Sequence, residues 1–472
     1  MLFAPELVLL LGSLLLFFLS LGESDGKGSR NVTTLLGLAG SVLCFITLFQ
    51  EGTLFMDAYR VDLFSQMFKV LITVGMTCVV IFGGPMKGVN ARLRPEYYIF
   101  LTLSCLGLMM LVSCVELISM FVALELSSYS LYLMVPMRDD TAGIRFQMEA
   151  AIKYILFGVI ATGAMLYGMS YLFGLTGSTH LAVLVPKIVA LSASSPVAIL
   201  GIALFMFGFF YKLAVFPFHF WVPDVYEGAA NPTTAFIASV PKLGAVAILV
   251  RLVAMVGPTG GDALVNLLIV LALCSMFYGN LSALVQTDVK RMLGFSGISH
   301  AGFVLLGLLT LKGVGFATSI YYIAGYLVMN LACFLVICKV SRNGENVSIE
   351  DLSGLHQRAP LLALTLGVGM FALAGIPPFV GFMGKFMLLT GAYKAGHLAL
   401  VILAALNTAI AIYYYLSVVR IAFCKDPDER PVVLVDPLTK LVSVFLMVVI
   451  IAMGVAPAKF LELATTAVKS IL

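Results

Sequence analysis

The sequence predicts an all-α protein that crosses a membrane many times. Of its 472 residues, 61% are hydrophobic and only 11% are charged, and the mean hydropathy is +1.07. This composition is typical of chains embedded in a bilayer and not of soluble domains. The apolar runs are continuous and do not alternate with polar residues, so they favour helices over the strands of a β-barrel.

Fourteen stretches are long and apolar enough to span a bilayer, which requires roughly 20 residues as a helix. Each is bounded by glycine, proline or a cluster of charges, and the first, with Glu6 in place of basic residues, is expected to be a retained span rather than a cleaved signal. The predicted spans lie near 2–21, 33–50, 63–84, 95–113, 115–135, 149–173, 196–220, 232–256, 263–283, 290–311, 314–340, 359–393, 398–424 and 434–457. The segment 180–191 is predicted to be a short interfacial helix.

The orientation follows from the positive charges in the loops, because cytoplasmic loops carry the excess of Lys and Arg. The odd-numbered loops hold fourteen of these residues: Lys27, Arg30, Lys87, Arg92, Arg94, Arg138, Arg145, Lys290, Arg291, Lys339, Arg342, Arg358, Lys425 and Arg430. The even-numbered loops and the C-terminal tail hold six: Arg60, Lys187, Lys312, Lys394, Lys459 and Lys469. We therefore expect the odd loops in the cytoplasm and both termini outside.

Two spans are interrupted at corresponding places. The seventh reads GFFYKLAVFPFHFW, with Lys212 before Pro217, and the twelfth reads FALAGIPPFVGFMGKF, with Lys385 after Pro377. Proline breaks a helix, and paired broken helices indicate a transporter built from repeats. Spans 4–8 and 9–13 would form two five-helix repeats, and because five is odd the second must be inverted relative to the first.

Four ionisable residues are predicted to lie deep within separate spans: Glu125, Lys212, Lys242 and Lys385. Such residues are costly in a bilayer and usually mark an ion or proton path. Glu125 and Lys212 would form a pair that can be made and broken, although a static ion pair between spans five and seven explains them too. Lysine can cycle between charged and neutral forms whereas arginine cannot, so three central lysines favour proton transfer over snorkelling side chains.

Secondary candidates are His300 and His219, which could relay protons or simply pack against neighbouring helices. Lys153 lies one turn after Glu149 and forms either an ordinary i,i+4 pair or part of a proton-uptake funnel. Weaker candidates are Lys69 and Glu116. Three residues near span ends, Arg251, Arg420 and Lys440, are expected to snorkel to the membrane surface.

The motifs of redox and nucleotide chemistry are missing from this sequence. Its eight cysteines contain no C-x-x-C pair, no iron–sulfur array and no haem attachment motif, and Gly384–Lys385 is not part of a P-loop. We expect no cofactor and no metal in this chain. The energy for any pumping would then come from partner subunits or an ion gradient.

Two long stretches resemble a known family. YKLAVFPFHFWVPDVYEGA with PTTAFIASVPKLGA, and DLSGLHQRAPLLALTLGVGMFALAGIPPFVGFMGKF, are similar to the repeat signatures of the antiporter-like membrane subunits of proton-pumping NADH:quinone oxidoreductase, respiratory complex I. The second stretch is most similar to the N-type branch. The resemblance covers all fourteen spans, and the AANPTT stretch at 229–234 departs mildly from the family pattern.

The resemblance implies that Glu125 and Lys212 are the family's glutamate–lysine pair, Lys242 its central lysine and Lys385 its second-repeat lysine, with His300 at a position where related chains carry histidine. It also implies proton pumping in a bacterial inner membrane, with NADH, FMN, iron–sulfur clusters and quinone bound by partner subunits of the membrane and peripheral arms. The implied segments are 1–94, 95–256, 257–424 and 425–472. The alternatives are a subunit of a stand-alone cation/proton antiporter or a membrane-bound hydrogenase, and an inert scaffold.

Overall fold

The computed structural model describes residues 2–22, 26–139, 146–192, 194–256, 261–427 and 430–471. Arg145 and the predicted segment boundary at 257 lie outside them. The helices in this part are α1 Ala4–Ser20, α2 Lys27–Ile46, α3 Leu63–Gly83, α4 Arg94–Ser113, α5 Leu117–Met134, α6 Phe146–Thr176, α7 Leu181–Ser192, α8 Pro196–Leu213, α9 Trp221–Gly228, α10 Asn231–Val256, α11 Gly261–Ala283, α12 Val289–Leu308, α13 Gly313–Val340, α14 Leu355–Arg358, α15 Pro360–Ala374, α16 Val380–Lys394, α17 Leu398–Cys424, α18 Pro437–Val455 and α19 Ala458–Lys469.

The predicted fourteen crossings are confirmed. Twelve of the described helices are long and apolar enough to span a membrane, and α1 is an apolar helix of 17 residues. The one remaining crossing, the twelfth along the chain, is shared by α15 and α16. A helix of 15 residues is only about 22 Å long and cannot cross alone.

Contacts between loops agree with this count. Arg60 in the second loop donates to the carbonyl oxygen of Ser470 in the C-terminal tail at 2.7 Å. Asn231 in the seventh loop donates to the carbonyl oxygen of Glu345 in the eleventh at 3.0 Å. Each contact joins two odd-numbered or two even-numbered connections, as expected when the chain changes sides at each span.

The two predicted interruptions are present and share one backbone pattern. Helix α8 ends before Ala214, whose φ is +67°, and α15 ends before Gly375, whose φ is +86°. After each left-handed residue, the next amide bonds back into the last helical turn, from Val215 to the Phe210 carbonyl and from Ile376 to the Phe371 carbonyl, both at 3.0 Å. This is the closing pattern of a helix C-terminus, so the two breaks are structurally equivalent.

Three features were not predicted or were predicted wrongly. A two-stranded antiparallel hairpin, β1 Gly52–Leu54 and β2 Tyr59–Val61, lies in the second loop, and the amphipathic helix α19 follows the last span. Arg251 does not snorkel: it is 2% exposed and its Nη2 lies 3.1 Å from Asp62 Oδ2. The prediction missed this partner because Asp62 is far away in sequence. Helix α7 corresponds to the predicted interfacial segment.

A buried ion pair joins α1 to α3. Lys69 Nζ lies 2.7 Å from Glu6 Oε1, both side chains are fully buried, and the Tyr59 hydroxyl donates to the same carboxylate oxygen at 2.7 Å. Glu6, the residue that argued against a signal peptide, is therefore the counter-charge of Lys69, one of the weaker site candidates. The pair lies near the even-loop end of the first three spans and away from the broken helices.

Lys69→Met should destabilise the protein, because it leaves the Glu6 carboxylate buried without a counter-charge at a cost of about 3–5 kcal/mol. The double variant Glu6→Gln with Lys69→Met should recover most of this loss. The thermal unfolding midpoint of the purified protein measures both, with exposed Lys440→Met as the control. Equal midpoints for the single and double variants would contradict the assignment.

Candidate proton path

The predicted glutamate–lysine pair joins Lys212 at the end of α8 to Glu125 on α5, but the two side chains do not touch. Lys212, 3% exposed, donates from Nζ to the Ser128 hydroxyl at 2.9 Å, and that hydroxyl donates to the Leu124 carbonyl at 2.8 Å. Glu125 Oε1 is buried without a hydrogen-bond partner. Glu125 and Ser128 are three residues apart on α5 and so share a face. The structure therefore presents the pair in an open arrangement, with serine holding the lysine.

Lys242 lies in the middle of α10, where it is 1% exposed. Its Nζ donates to the Tyr326 hydroxyl at 3.0 Å and to the Gly297 carbonyl at 3.2 Å. A Cβ at position 297 would lie 2.7 Å from Lys242 Nζ, so a larger residue there would displace the ammonium from this position. Both acceptors are neutral, and no carboxylate of the described residues lies within ion-pair distance of this ammonium.

His300 lies one turn after Gly297 on the same face of α12. Its Nδ1 is 2.7 Å from the Tyr322 hydroxyl and its Nε2 is 3.2 Å from the Tyr415 hydroxyl. The ring also packs on Tyr326, with centroids 5.0 Å apart. Since Tyr326 binds Lys242, the histidine belongs to the polar cluster around the central lysine, in keeping with the relay interpretation.

Lys385 lies on α16, the second half of the twelfth span. It is 4% exposed, and its Nζ donates to the carbonyl oxygens of Leu373 and Ala374 at 3.0 and 3.1 Å. These carbonyls end α15 and have lost their helical partners at the break. The ammonium thus satisfies the freed backbone groups at the negative end of a helix dipole. It also lies 5.1 Å from the ring of Phe303, two turns after Gly297 on α12.

The two remaining candidates lie elsewhere. His219 is fully buried, neither ring nitrogen has a hydrogen-bond partner, and the ring packs against Tyr278 at 4.3 Å. This geometry favours packing over a relay. Lys153 contacts Glu149 at 2.7 Å, as an i,i+4 pair, and also Asp224 at 2.5 Å. The second contact places it in a larger charged cluster on the odd-loop face.

Sequence reasoning missed the hydroxyl groups that contact Lys242 and His300. Tyr322 and Tyr326 lie one turn apart on α13, and Tyr415 on α17 also contacts the Ser296 hydroxyl. Their signal is the i,i+4 spacing of two tyrosines in an apolar span, which is indistinguishable from ordinary core packing without the partner helices. Glu116, a weak candidate, caps α5 by accepting from the Ser119 amide at 2.7 Å.

Fourteen crossings, inverted repeats, two broken helices and buried lysines at the breaks define an antiporter-like membrane subunit. Residues 114–411 match the family described as NADH:quinone oxidoreductase/Mrp antiporter, TM. A chain named NADH-quinone oxidoreductase subunit N 2 from Opitutus terrae is 53% identical over 99% of this chain and 98% of its own length. One of the same name from Syntrophobacter fumaroxidans is 42% identical over 100% and 99%.

Among solved structures, a chain of respiratory complex I from Thermus thermophilus with bound aureothin is 31% identical, with a TM-score of 0.84 over 98% of this chain and 99% of that one. The protein belongs to the family of NADH-quinone oxidoreductase subunit N.

Tyr326→Phe should remove one of the two hydrogen bonds of Lys242 while leaving the ring in place. A hydrogen bond to a charged group contributes about 1.5–3 kcal/mol, so a loss of about tenfold in the rate of proton translocation is expected. The measurement is proton uptake by vesicles containing the assembled complex, with Tyr393→Phe, an exposed tyrosine, as the control. Unchanged translocation would show that the Tyr326 hydroxyl only packs.

Proposed function

We propose that this chain translocates protons as the N-type subunit of a proton-pumping NADH:quinone oxidoreductase. The observation that carries the proposal is the set of buried lysines held by neutral oxygens, above all Lys242 on Tyr326 and Gly297. A lysine held by neutral acceptors can lose its proton without leaving a carboxylate unpaired. In a transport protein, such a group can serve as a station for a proton.

Helix α12 links two of these stations. Its residues Gly297, His300 and Phe303 recur every three positions and meet Lys242, the tyrosine cluster and Lys385 in turn. In our proposal a proton passes from Lys242 through His300 and its tyrosines towards Lys385. The proton moves from the lysine that is charged to the lysine that is neutral.

The open Glu125–Lys212 arrangement is the proposed switch. If Lys212 left Ser128 for Glu125, the pair would close and the field at Lys242 would change. Moving one charge against about 100 mV requires about 2.3 kcal/mol. Two unit charges about 4 Å apart interact by about 4 kcal/mol at an effective dielectric of 20, so the attraction within a closed pair is of the same order as this step.

The energy would come from electron transfer in other subunits. NADH, FMN, iron–sulfur clusters and quinone would be bound there, and the partners of this chain would be the remaining membrane-arm and peripheral-arm subunits. Within the chain, 95–256 and 257–424 would be the two proton-handling repeats. Residues 1–94 and 425–472 would flank them.

The sharpest test replaces Lys242 with arginine. Arg keeps the charge but does not release its proton at physiological pH, so Lys242→Arg should abolish proton translocation. If Lys242 were only a structural cation, arginine would replace it and translocation would continue. Lys242→Met gives the neutral comparison, and exposed Lys440→Arg is the matched control. Protons moved per NADH oxidised, in vesicles with the assembled complex, are the readout.

Full pumping by both Lys242 variants in a normally assembled complex would overturn the proposal and favour the scaffold. The second candidate, a subunit of a stand-alone cation/proton antiporter or a membrane-bound hydrogenase, shares this fold. Sodium-dependent transport without NADH oxidation would favour the antiporter. The identities of the relatives favour the oxidoreductase.

We further propose a bacterial inner membrane location with both termini on the periplasmic side. In a Cys424→Ser background, which removes an exposed thiol, Lys394→Cys should react with a membrane-impermeant maleimide added to intact cells. Lys87→Cys, on an odd loop, should react only after the cells are opened. The reverse pattern would invert the orientation.

A further inference from the structure

A cluster of charges on the odd-loop face centres on Asp224. Its Oδ2 lies 2.5 Å from Lys153 Nζ, and its Oδ1 lies 2.9 Å from Arg291 Nη1. Each cation has a second carboxylate: Lys153 contacts Glu149 at 2.7 Å and Arg291 contacts Glu227 at 2.7 Å. Asp224 is therefore shared by two ion pairs. If either pair breaks, its cation still has a carboxylate partner, which is Glu149 for Lys153 and Glu227 for Arg291.

The cluster joins the two repeats. Lys153 lies on α6 of the first repeat and Arg291 on α12 of the second. Asp224 lies on α9, the short helix that follows the broken seventh span on the odd-loop side. Since α12 also carries Gly297 and His300, a shift of α12 that alters the contacts of Lys242 would also move Arg291 relative to Asp224.

Asp224 also occupies a special place in the repeat. Ala214 and Gly375 are equivalent left-handed residues at the two helix breaks. Counting ten residues onward from each reaches Asp224 in the first repeat and Lys385 in the second. The position that carries a buried lysine in one repeat thus carries a partly exposed carboxylate in the other.

The side chains of this cluster are partly exposed. The side chains of Asp224 and Arg291 are about 30% exposed and that of Lys153 is 37% exposed. Three residues before Asp224, Trp221 stacks on Tyr154 with centroids 4.7 Å apart, and its indole N–H donates to the Tyr211 carbonyl at 3.1 Å. The next residue along α8 is Lys212. Helix α9 therefore connects the partly exposed charge cluster on the odd-loop face to the region of Lys212.

The charges around Asp224 control its protonation. Burial by itself would raise the pKa of Asp224, but the hydrogen bonds and charges of Lys153 and Arg291 outweigh it and hold the pKa below its usual range. Withdrawal of either cation removes part of this effect, which favours proton binding.

We propose that Asp224 is the carboxylate that takes up protons from the odd-loop side, and that Arg291 couples this uptake to the second repeat. When Arg291 moves fully onto Glu227, or Lys153 onto Glu149, a proton from water binds a carboxylate oxygen of Asp224. When the cation returns, the proton is displaced inward towards Lys212. The proposal rests on the proposed function and assigns the uptake site of that same path.

The test is Asp224→Asn in the assembled complex, because asparagine keeps the size and can hydrogen-bond but cannot carry the proton. Proton uptake should slow by at least about tenfold, in line with the loss of a positioned proton acceptor. Asp224→Glu should restore most of it. Glu350→Gln, which removes an exposed carboxylate paired with Lys425 on the same face, is the matched control and should leave pumping unchanged.

Wild-type pumping by Asp224→Asn would overturn the inference. Equal loss of pumping in the Asn and Glu variants, with normal assembly, would overturn it too and leave Asp224 as a structural clamp. If Asp224→Asn does not assemble, Lys153→Gln removes one counter-charge and keeps the carboxylate, and normal pumping there would equally overturn the proposal. A block by Lys242→Arg with normal pumping by Asp224→Asn would defeat this inference alone and spare the proposed function.

Discussion

A buried ammonium in a helical membrane bundle needs oxygen acceptors, and the lipid chains around the bundle supply none. Within an unbroken helix each carbonyl already accepts one backbone hydrogen bond and offers only its second lone pair. The break after α15 supplies such acceptors directly, because Lys385 takes the carbonyls freed at the end of that helix. Lys242 in an unbroken helix depends instead on a tyrosine hydroxyl and on close approach to Gly297.

The choice of acceptor separates two kinds of buried cation in this protein. Lys69 and Arg251 each face a carboxylate, Glu6 and Asp62, and each pair is nearly or fully shielded from solvent. Such pairs are fixed, since removal of either partner leaves an unpaired buried charge. The central lysines face neutral groups and so can change charge at lower cost. Burial alone does not distinguish the two kinds of cation, because both are buried. The difference lies in whether the partner is a carboxylate or a neutral group.

The two repeats share a backbone plan but distribute their charges differently. In the first, the lysine lies before the break, on α8, and a carboxylate follows it on α9. In the second, the lysine itself follows the break. In the proposed proton path, these halves would give an acidic opening at one face and lysines in the middle, and α12 contributes to both.

The sequence by itself determined the membrane class, the number of crossings and the two broken helices, because length, hydropathy and proline act locally and need no partner. It also located the four buried ionisable residues, since a charge within an apolar run is visible without a structure. The tertiary structure alone decided what each charge contacts. Lys212 meets Ser128 and not Glu125, Arg251 meets Asp62, and Asp224 joins two repeats, because these partners come from helices that are distant in sequence and adjacent only after the bundle has packed.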